Sequence, residues 1–338
     1  RKDNTSSMQY IFNEILLDRN NFDYIVIDRN FINNYKFRFK IIDTILSSNF
    51  IIKYWYISFS IIKKYNPKKI ISISQEYILP FYKERQFLLL LDLIQFYRPR
   101  NLFYKLFYKY YIVKTLPSIK KIFAISKYSA RVASKISNVN FTDIDYIEID
   151  KNISNKNHMI DIKSSKKIYD LLWIGTNSNH KRLKFFIETL TVLDGFFDKE
   201  LTINIVMPTA VRIDILNIIK KQKIDQKYKI FFKSNLNDDD IDFLYSRSKI
   251  LVSTSEIEGY CLPLRESYYF GCYCIAPNKQ IFREIHKSYT ELFSPYSKLS
   301  LALKIKKVLA KNVFANNKAI NKIEPISKIT LNNLLDEI

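Results

Sequence analysis

Short, unbroken apolar runs alternate with longer stretches of helical periodicity along nearly the whole chain, and this rhythm limits the fold more than any other property. A run such as Phe87–Leu91, Phe-Leu-Leu-Leu-Leu, has no face to give to water. It must be covered on both sides, as in a parallel sheet flanked by helices. In the first half the rhythm predicts strands at Tyr24–Ile27, Lys69–Ile73, Phe87–Leu91 and Lys121–Ile125, with helices at Met8–Leu17 and Phe103–Lys114. In the second half it predicts strands at Tyr169–Ile174, Leu201–Val206, Lys229–Phe232, Lys249–Ser253 and Tyr273–Ala276. Helices are expected at Lys181–Leu193, Val211–Lys221, Asp239–Ser246, Pro263–Phe270 and Leu299–Ala310. Between the halves, Asp150–Ser165 turns polar and reads as a linker. At 338 residues the chain is long enough for two domains. They are expected at 1–155 and 156–312, followed by a helical segment, 313–338, packing back toward the first. Consecutive β/α domains of this kind hold ligands at the strand carboxyl ends, in the cleft between them.

Chemistry concentrates in Ser253-Thr-Ser-Glu-Ile-Glu-Gly-Tyr-Cys-Leu-Pro-Leu-Arg-Glu-Ser267. Gly259 marks a tight turn after an apolar strand, and Pro263 suits a first helical position, where its missing N–H costs nothing. Glu258 then falls in the turn and Glu266 about one turn inside the helix. The free N–H groups of the helix start can hold an anion, with carboxylates beside them to grip hydroxyls. A phosphate attached to sugars fits that description.

Lys and Arg number 54 against 33 Asp and Glu, a net charge of +21, which calls for an anionic partner. Part of the Lys, Asn and Ile excess follows from A/T-rich codons. Zinc-finger spacing and RNP-type motifs are missing from the sequence, so nucleic acid is not the expected partner. From Leu93 to Thr142 there is no Asp or Glu, while ten Lys/Arg and eleven Phe/Tyr occur. Basic residues interleaved with aromatics suit an interfacial helix, so 96–121 is expected to meet an anionic membrane surface. The competing reading is an amphipathic helix whose aromatics pack on its own sheet. No segment has the roughly 18 apolar residues that a span requires; Phe50–Ile62 comes nearest but contains Lys53. The three cysteines, Cys261, Cys272 and Cys274, are too few and too clustered for a disulfide framework and lack a fourth zinc ligand. They read as buried thiols. Asp238-Asp-Asp precedes an apolar helix pattern and reads as a cap rather than a metal site.

The run Glu258-Gly-Tyr-Cys-Leu-Pro-Leu-Arg-Glu266, continuing to Tyr269-Phe-Gly-Cys-Tyr-Cys-Ile-Ala276, resembles the E-G-F-G-L-P-x-x-E signature of family 4 (group 1) glycosyltransferases. Trp173-Ile-Gly-Thr-Asn-Ser-Asn-His-Lys-Arg182 is similar to that family's phosphate loop, and Leu91-Asp-Leu-Ile-Gln to its H-D-L-I segment. The resemblance covers most of the chain and is strongest over 168–296. It implies a GT-B fold, α/β with two Rossmann-like β/α/β domains facing across a cleft, the first on the acceptor side. It also implies sugar transfer from a nucleotide-sugar with retention, without a cofactor or catalytic metal. On that pattern Glu258 lies beside the donor sugar and Glu266 accepts from the ribose hydroxyls. Lys181 neutralises the leaving diphosphate, and Gly175 and Thr176 belong to the phosphate loop. Gly259 shapes the cradle, the backbone N–H groups of Tyr260, Cys261 and Leu262 complete it, and Asp92 faces the donor from the first domain.

Three departures stand out. Cys261 occupies the place of the family's second glycine, Thr176 stands where an arginine is common, and Leu91 replaces the histidine of H-D-L-I. The family's first strand and glycine-rich loop should precede a segment like Ser6–Leu17, so that strand is expected to be absent or truncated. The combined expectation is a hexosyl-type glycosyltransferase of bacterial surface polysaccharide synthesis, of O-antigen or capsule type. It would use a lipid-linked or oligosaccharide acceptor, in the cytoplasm and peripheral on the inner face of the plasma membrane. The alternatives are a non-catalytic GT-B-like binding subunit and a basic nucleic-acid-binding protein.

Overall fold

A computed structural model describes residues 24–28, 40–44, 51–148, 166–198, 200–207, 211–311 and 329–330. The chain divides into two compact units. The described residues between 166 and 311 fall in one unit; those between 24 and 148, with Ile329–Thr330, fall in the other.

The second unit is a six-stranded sheet built from β7 (Tyr169–Ile174), β8 (Leu201–Val206), β9 (Tyr228–Lys233), β10 (Ser248–Val252), β11 (Tyr273–Pro277) and β12 (Thr290–Phe293). Their spatial order is β12-β11-β10-β7-β8-β9, and every neighbouring pair is parallel. The inner strands are the most apolar: Asp170, Leu171, Leu172 and Trp173 of β7 are all buried. Helices Leu183–Leu193 and Lys298–Ala310 cover one face, closing a core that includes Trp173, Phe186, Ile205, Ile250 and Ile305. The edge strand β9 leaves Phe231 and Phe232 exposed.

The first unit holds β1 (Tyr24–Asp28) and β2 (Lys40–Thr44), a parallel pair of their own. It also holds β3 (Ile70–Ser72), β4 (Gln86–Leu90), β5 (Lys121–Ala124) and β6 (Ile144–Glu148), extended at the edge by β13 (Ile329–Thr330), again all parallel. Helix Lys127–Ser137 starts at Ser126, whose hydroxyl accepts from the Ser129 N–H at 3.0 Å, and ends at the left-handed Asn138. Both are standard end signals.

The expected helix Phe103–Lys114 is broken into three parts. An α turn at Leu102–Leu106 passes into a π turn at Phe107–Ile112 and returns to α geometry at Val113–Thr115. The helix whose N-cap is the left-handed Cys261 begins at Leu262, so Pro263 takes its second position rather than its first. The expected helix Met8–Leu17, the linker 150–165 and most of the segment 313–338 lie outside the described residues. Within that last segment Ile329–Thr330 forms a strand beside β6, not helix.

Candidate functional site

The order of the six strands reverses at one place. From β7 the chain steps outward through β8 to β9, then returns to lay β10 against the other side of β7. At such a switch point the loops leaving the two central strands part in opposite directions and open a crevice at their carboxyl ends. The residues after β7 are Gly175–Arg182 and those after β10 are Ser253–Cys261. Both predicted motifs therefore arise from adjacent strands at the same edge of one sheet.

Several bonds stitch the two loops together. Trp173 at the end of β7 donates its indole N–H to Thr254 Oγ1 at 3.0 Å, and that hydroxyl donates to the Lys181 carbonyl at 2.8 Å. The Glu256 N–H reaches the His180 carbonyl at 2.7 Å. Lys181 and Glu258, 77 residues apart, are thereby brought into contact, with Lys181 Nζ 2.5 Å from Glu258 Oε1. Glu258 is buried. Burial raises its pKa, but the Lys181 ammonium and hydrogen bonds from Lys181 and Ser255 outweigh that, and the carboxyl is held below its ordinary value. It is an anion with a committed cation.

Cys261 sits at φ 70°, ψ 60°, the left-handed region, and is the N-cap of helix Leu262–Tyr269. A non-glycine residue there costs about 1–2 kcal/mol. Burial first, and then the Glu258 carboxylate, push its thiol up to about 12. Cys272 is pushed up to about 11 by burial, and all three cysteines are free and buried. None is a thiolate nucleophile at neutral pH.

Glu266 is buried on the same helix, and its Oε2 accepts from the Tyr245 hydroxyl at 2.9 Å. The backbone carbonyl of Tyr260 faces inward to His286 Nε2 at 2.6 Å. His286 Nδ1 in turn meets the Tyr289 hydroxyl, and Arg265 Nη1 donates to the Tyr260 hydroxyl. Tyr245, Arg265, His286 and Tyr289 thus hold the motif from behind. Sequence reading singled out none of them for this role. Their signal would have been four polar or aromatic residues at positions that otherwise read as core.

Gly175 has a packing reason as well as any functional one. A Cβ there would lie 2.6 Å from Cη2 of Trp173, which is buried and fixed by Thr254. Thr176 Oγ1 accepts from the Ser178 N–H at 3.4 Å in a partly exposed loop. Gly259, Tyr260 and Leu262 are buried in the turn and helix start. Asp92 belongs to the other unit, where it follows β4 and accepts the Ile94 N–H at 2.9 Å. The acidic triplet helps form a cap, as expected: Asn237 Oδ1 accepts from the Asp240 N–H, and Asp240 reaches back to the Asn237 N–H.

Two parallel-sheet units of this build make a GT-B fold, α/β with two Rossmann-like parts. The chain is similar to WaaG, described as a glycosyltransferase involved in lipopolysaccharide biosynthesis. That match has a TM-score of 0.68 at 12% identity over 93% of this chain and 90% of that one. WaaB, a lipopolysaccharide outer core galactosyltransferase, gives 0.62 at 14% identity over 91% and 86%. Sucrose-phosphate synthase from Thermosynechococcus elongatus gives 0.62 at 13% identity over 81% and 73%. In sequence, residues 217–324 match the family described as glycosyl transferases group 1. No curated protein has a matching sequence.

Proposed function

We propose that this chain is a family 4 retaining glycosyltransferase of hexosyl type. It moves a sugar from a nucleotide-sugar to a lipid-linked or glycan acceptor in bacterial surface polysaccharide synthesis, of O-antigen or capsule type. The observation that carries the reading is the contact between Lys181 and Glu258 at the switch point, beside the start of the helix that bears Glu266. A lysine and a helix N-terminus together suit a diphosphate, whose charge grows as the bond to the sugar breaks. Glu258 sits next to that charge and orients the donor sugar, and Glu266 takes the ribose hydroxyls. The described functions of WaaG and WaaB support a polysaccharide product. Peripheral attachment to the inner face of the plasma membrane would bring the site to a lipid-linked acceptor. No metal enters the proposed chemistry.

The reading is tested with a panel of nucleotide-sugars, by calorimetric binding and by hydrolysis, with and without chelator. Wild type should bind one donor whatever the chelator. Glu266→Ala should weaken that binding at least about tenfold, and Glu258→Ala should lose turnover more than binding. If wild type binds no donor, the catalytic reading fails. Leu91, buried after β4 where the family has a histidine, favours a binding subunit instead. Donor binding without turnover would decide for that role.

A further inference from the structure

The basic aromatic stretch is doubly faced in the structure. Its inner face is anchored: the Tyr111 ring lies tilted against Trp55, with ring centroids 4.6 Å apart, and both donate to the Ile78 carbonyl, at 2.9 and 3.2 Å. Tyr108 is buried, accepting from Gln75 Nε2 at 3.0 Å and donating to Glu76 Oε1 at 3.1 Å. Phe107 and Ile112 complete that face. The outer face carries Leu102, Phe103, Leu106 and Tyr110, exposed by 68%, 53%, 47% and 54%. Aromatics on the inner side satisfy the core reading; these four do not.

Helix geometry explains why the outer residues stay in line. Four-residue steps drift around an α-helix, because each overshoots the 3.6-residue turn. The π turn at Phe107–Ile112 closes i to i+5, Val113 N–H to the Tyr108 carbonyl, and so holds more residues per turn. It offsets the drift between Leu106 and Tyr110. Exposed Lys105, Lys109 and Lys114 flank the stripe, with Arg98 and Arg100 just before it. Lys109 and Lys114 lie 5.3 and 5.9 Å from the Tyr110 ring.

We propose that this outer face is a membrane-docking ridge: Leu102, Phe103, Leu106 and Tyr110 enter the interfacial layer of a bilayer while Lys105, Lys109 and Lys114 meet anionic headgroups. This deepens the membrane part of the function proposed above by naming the surface, and it needs no donor bound. Charge decides the occupant. The stretch lies in a 50-residue interval free of Asp and Glu, so a second copy would bring like charges face to face. Nucleic acid would use the lysines and aromatics, but the exposed Leu102 and Leu106 offer a base no stacking surface. An anionic bilayer uses all seven side chains.

The test is flotation of the full chain with vesicles of neutral lipid and with vesicles containing roughly a third anionic lipid, at low and high salt. Wild type should float with the anionic vesicles at low salt, less at high salt, and little with neutral ones. Lys105→Glu, Lys109→Glu and Lys114→Glu combined should weaken binding at least about tenfold. The same change in net charge elsewhere, Lys220→Glu, Lys221→Glu and Lys223→Glu, should leave it within about threefold. Leu102→Ser, Phe103→Ser and Leu106→Ser combined should lower binding at both salt concentrations. Thermal melts and donor binding are measured on every variant, so that loss of fold or of the donor site is not mistaken for loss of docking. The inference is overturned if wild type stays unbound at low salt, if the two charge triples fall equally, or if the wild type prefers RNA or DNA over vesicles.

Discussion

His286 offers the sharpest test of the site's architecture, because one proton decides its state. The ring is fully buried, among Tyr260, Arg265, Phe282 and Tyr289, with the Glu258 carboxylate near enough to act on it. Its Nε2 meets a carbonyl, which can only accept, so Nε2 carries the hydrogen and the neutral ring accepts the Tyr289 hydroxyl at Nδ1. Burial lowers its pKa from 6.5 to about 4, assisted by Arg265 and opposed by the Tyr260 carbonyl and Glu258. In the unfolded chain the ring takes a proton near 6.5. Between 6.5 and about 4 the unfolded state therefore binds more protons, and stability falls as the pH falls. The stabilisation is fully present above 6.5 and lost by about 4. Linkage makes it worth about 3 kcal/mol, of which about 2 kcal/mol goes by pH 5.

The chain has two tryptophans, Trp55 and Trp173, one in each unit. A Trp55→Phe background leaves buried Trp173 as the sole fluorescent reporter of the unit that holds His286. Urea unfolding at pH 7.5 and 5 is then compared with the same background carrying His286→Gln, whose amide N–H can still reach the Tyr260 carbonyl. The other histidines and carboxylates are common to both proteins, so the difference of differences isolates His286. It should be about 2 kcal/mol, with the glutamine variant losing less stability at pH 5. A difference below about 0.5 kcal/mol would mean that His286 does not stay neutral, and the clamp on the Tyr260 carbonyl would have to be abandoned.

Three further outcomes follow from the same geometry. Lys181→Met leaves the buried Glu258 carboxylate without its cation and should cost about 3 kcal/mol at neutral pH. Because Glu258's pKa is held below its ordinary 4.5 in the wild type, the pair's contribution is fully present above 4.5 and is lost only as the pH falls below it, through the lowered folded-state value, so the variant and wild type should converge in acid denaturation curves. Gly175→Ala should cost about 1–3 kcal/mol and perturb the Trp173 emission, because the new methyl meets a fixed indole. At Cys261 the left-handed backbone should invert the usual order: Cys261→Gly should melt at or above Cys261→Ala, since alanine keeps the strain and also loses the thiol's packing.

Local pattern explains what could be read from the sequence and what could not. Every strand expected in the second half is present within a residue or two, because Leu171-Leu-Trp173 or Ile250-Leu-Val252 must be covered on both faces whatever surrounds them. Thr290–Phe293 carries no strand signal, because a four-residue strand with polar Thr290 and Glu291 is too short to show a period. Ile144–Glu148 follows no single period: its buried residues, Ile144 and Ile147, stand three positions apart, and Asp145 between them pairs with Lys121 at 2.7 Å, so its signal is mixed. The π turn at Phe107–Ile112 left no local mark, because the helical pattern reads smoothly through it.

The site divides along the same line. Glu258, Gly259, Pro263 and Glu266 were legible because a turn followed by a helix start is a local event. What fixes them comes from far along the chain: Tyr245 is 21 residues from Glu266, His286 is 26 from Tyr260, and Lys181 is 77 from Glu258. Of these only Lys181 carries a sequence signal, its spacing from Gly175. That glycine now has a second explanation, room for the indole that holds Thr254 and, through it, the backbone of Lys181. The decisive step is topological. Had β10 continued outward beyond β9 instead of returning to β7, Lys181 and Glu258 would stand several strands apart, about 5 Å for each strand between them. No short-range pattern encodes that return. It depends on which sheet edge the chain chooses to extend, and the pairing of Lys181 with Glu258 depends on that choice.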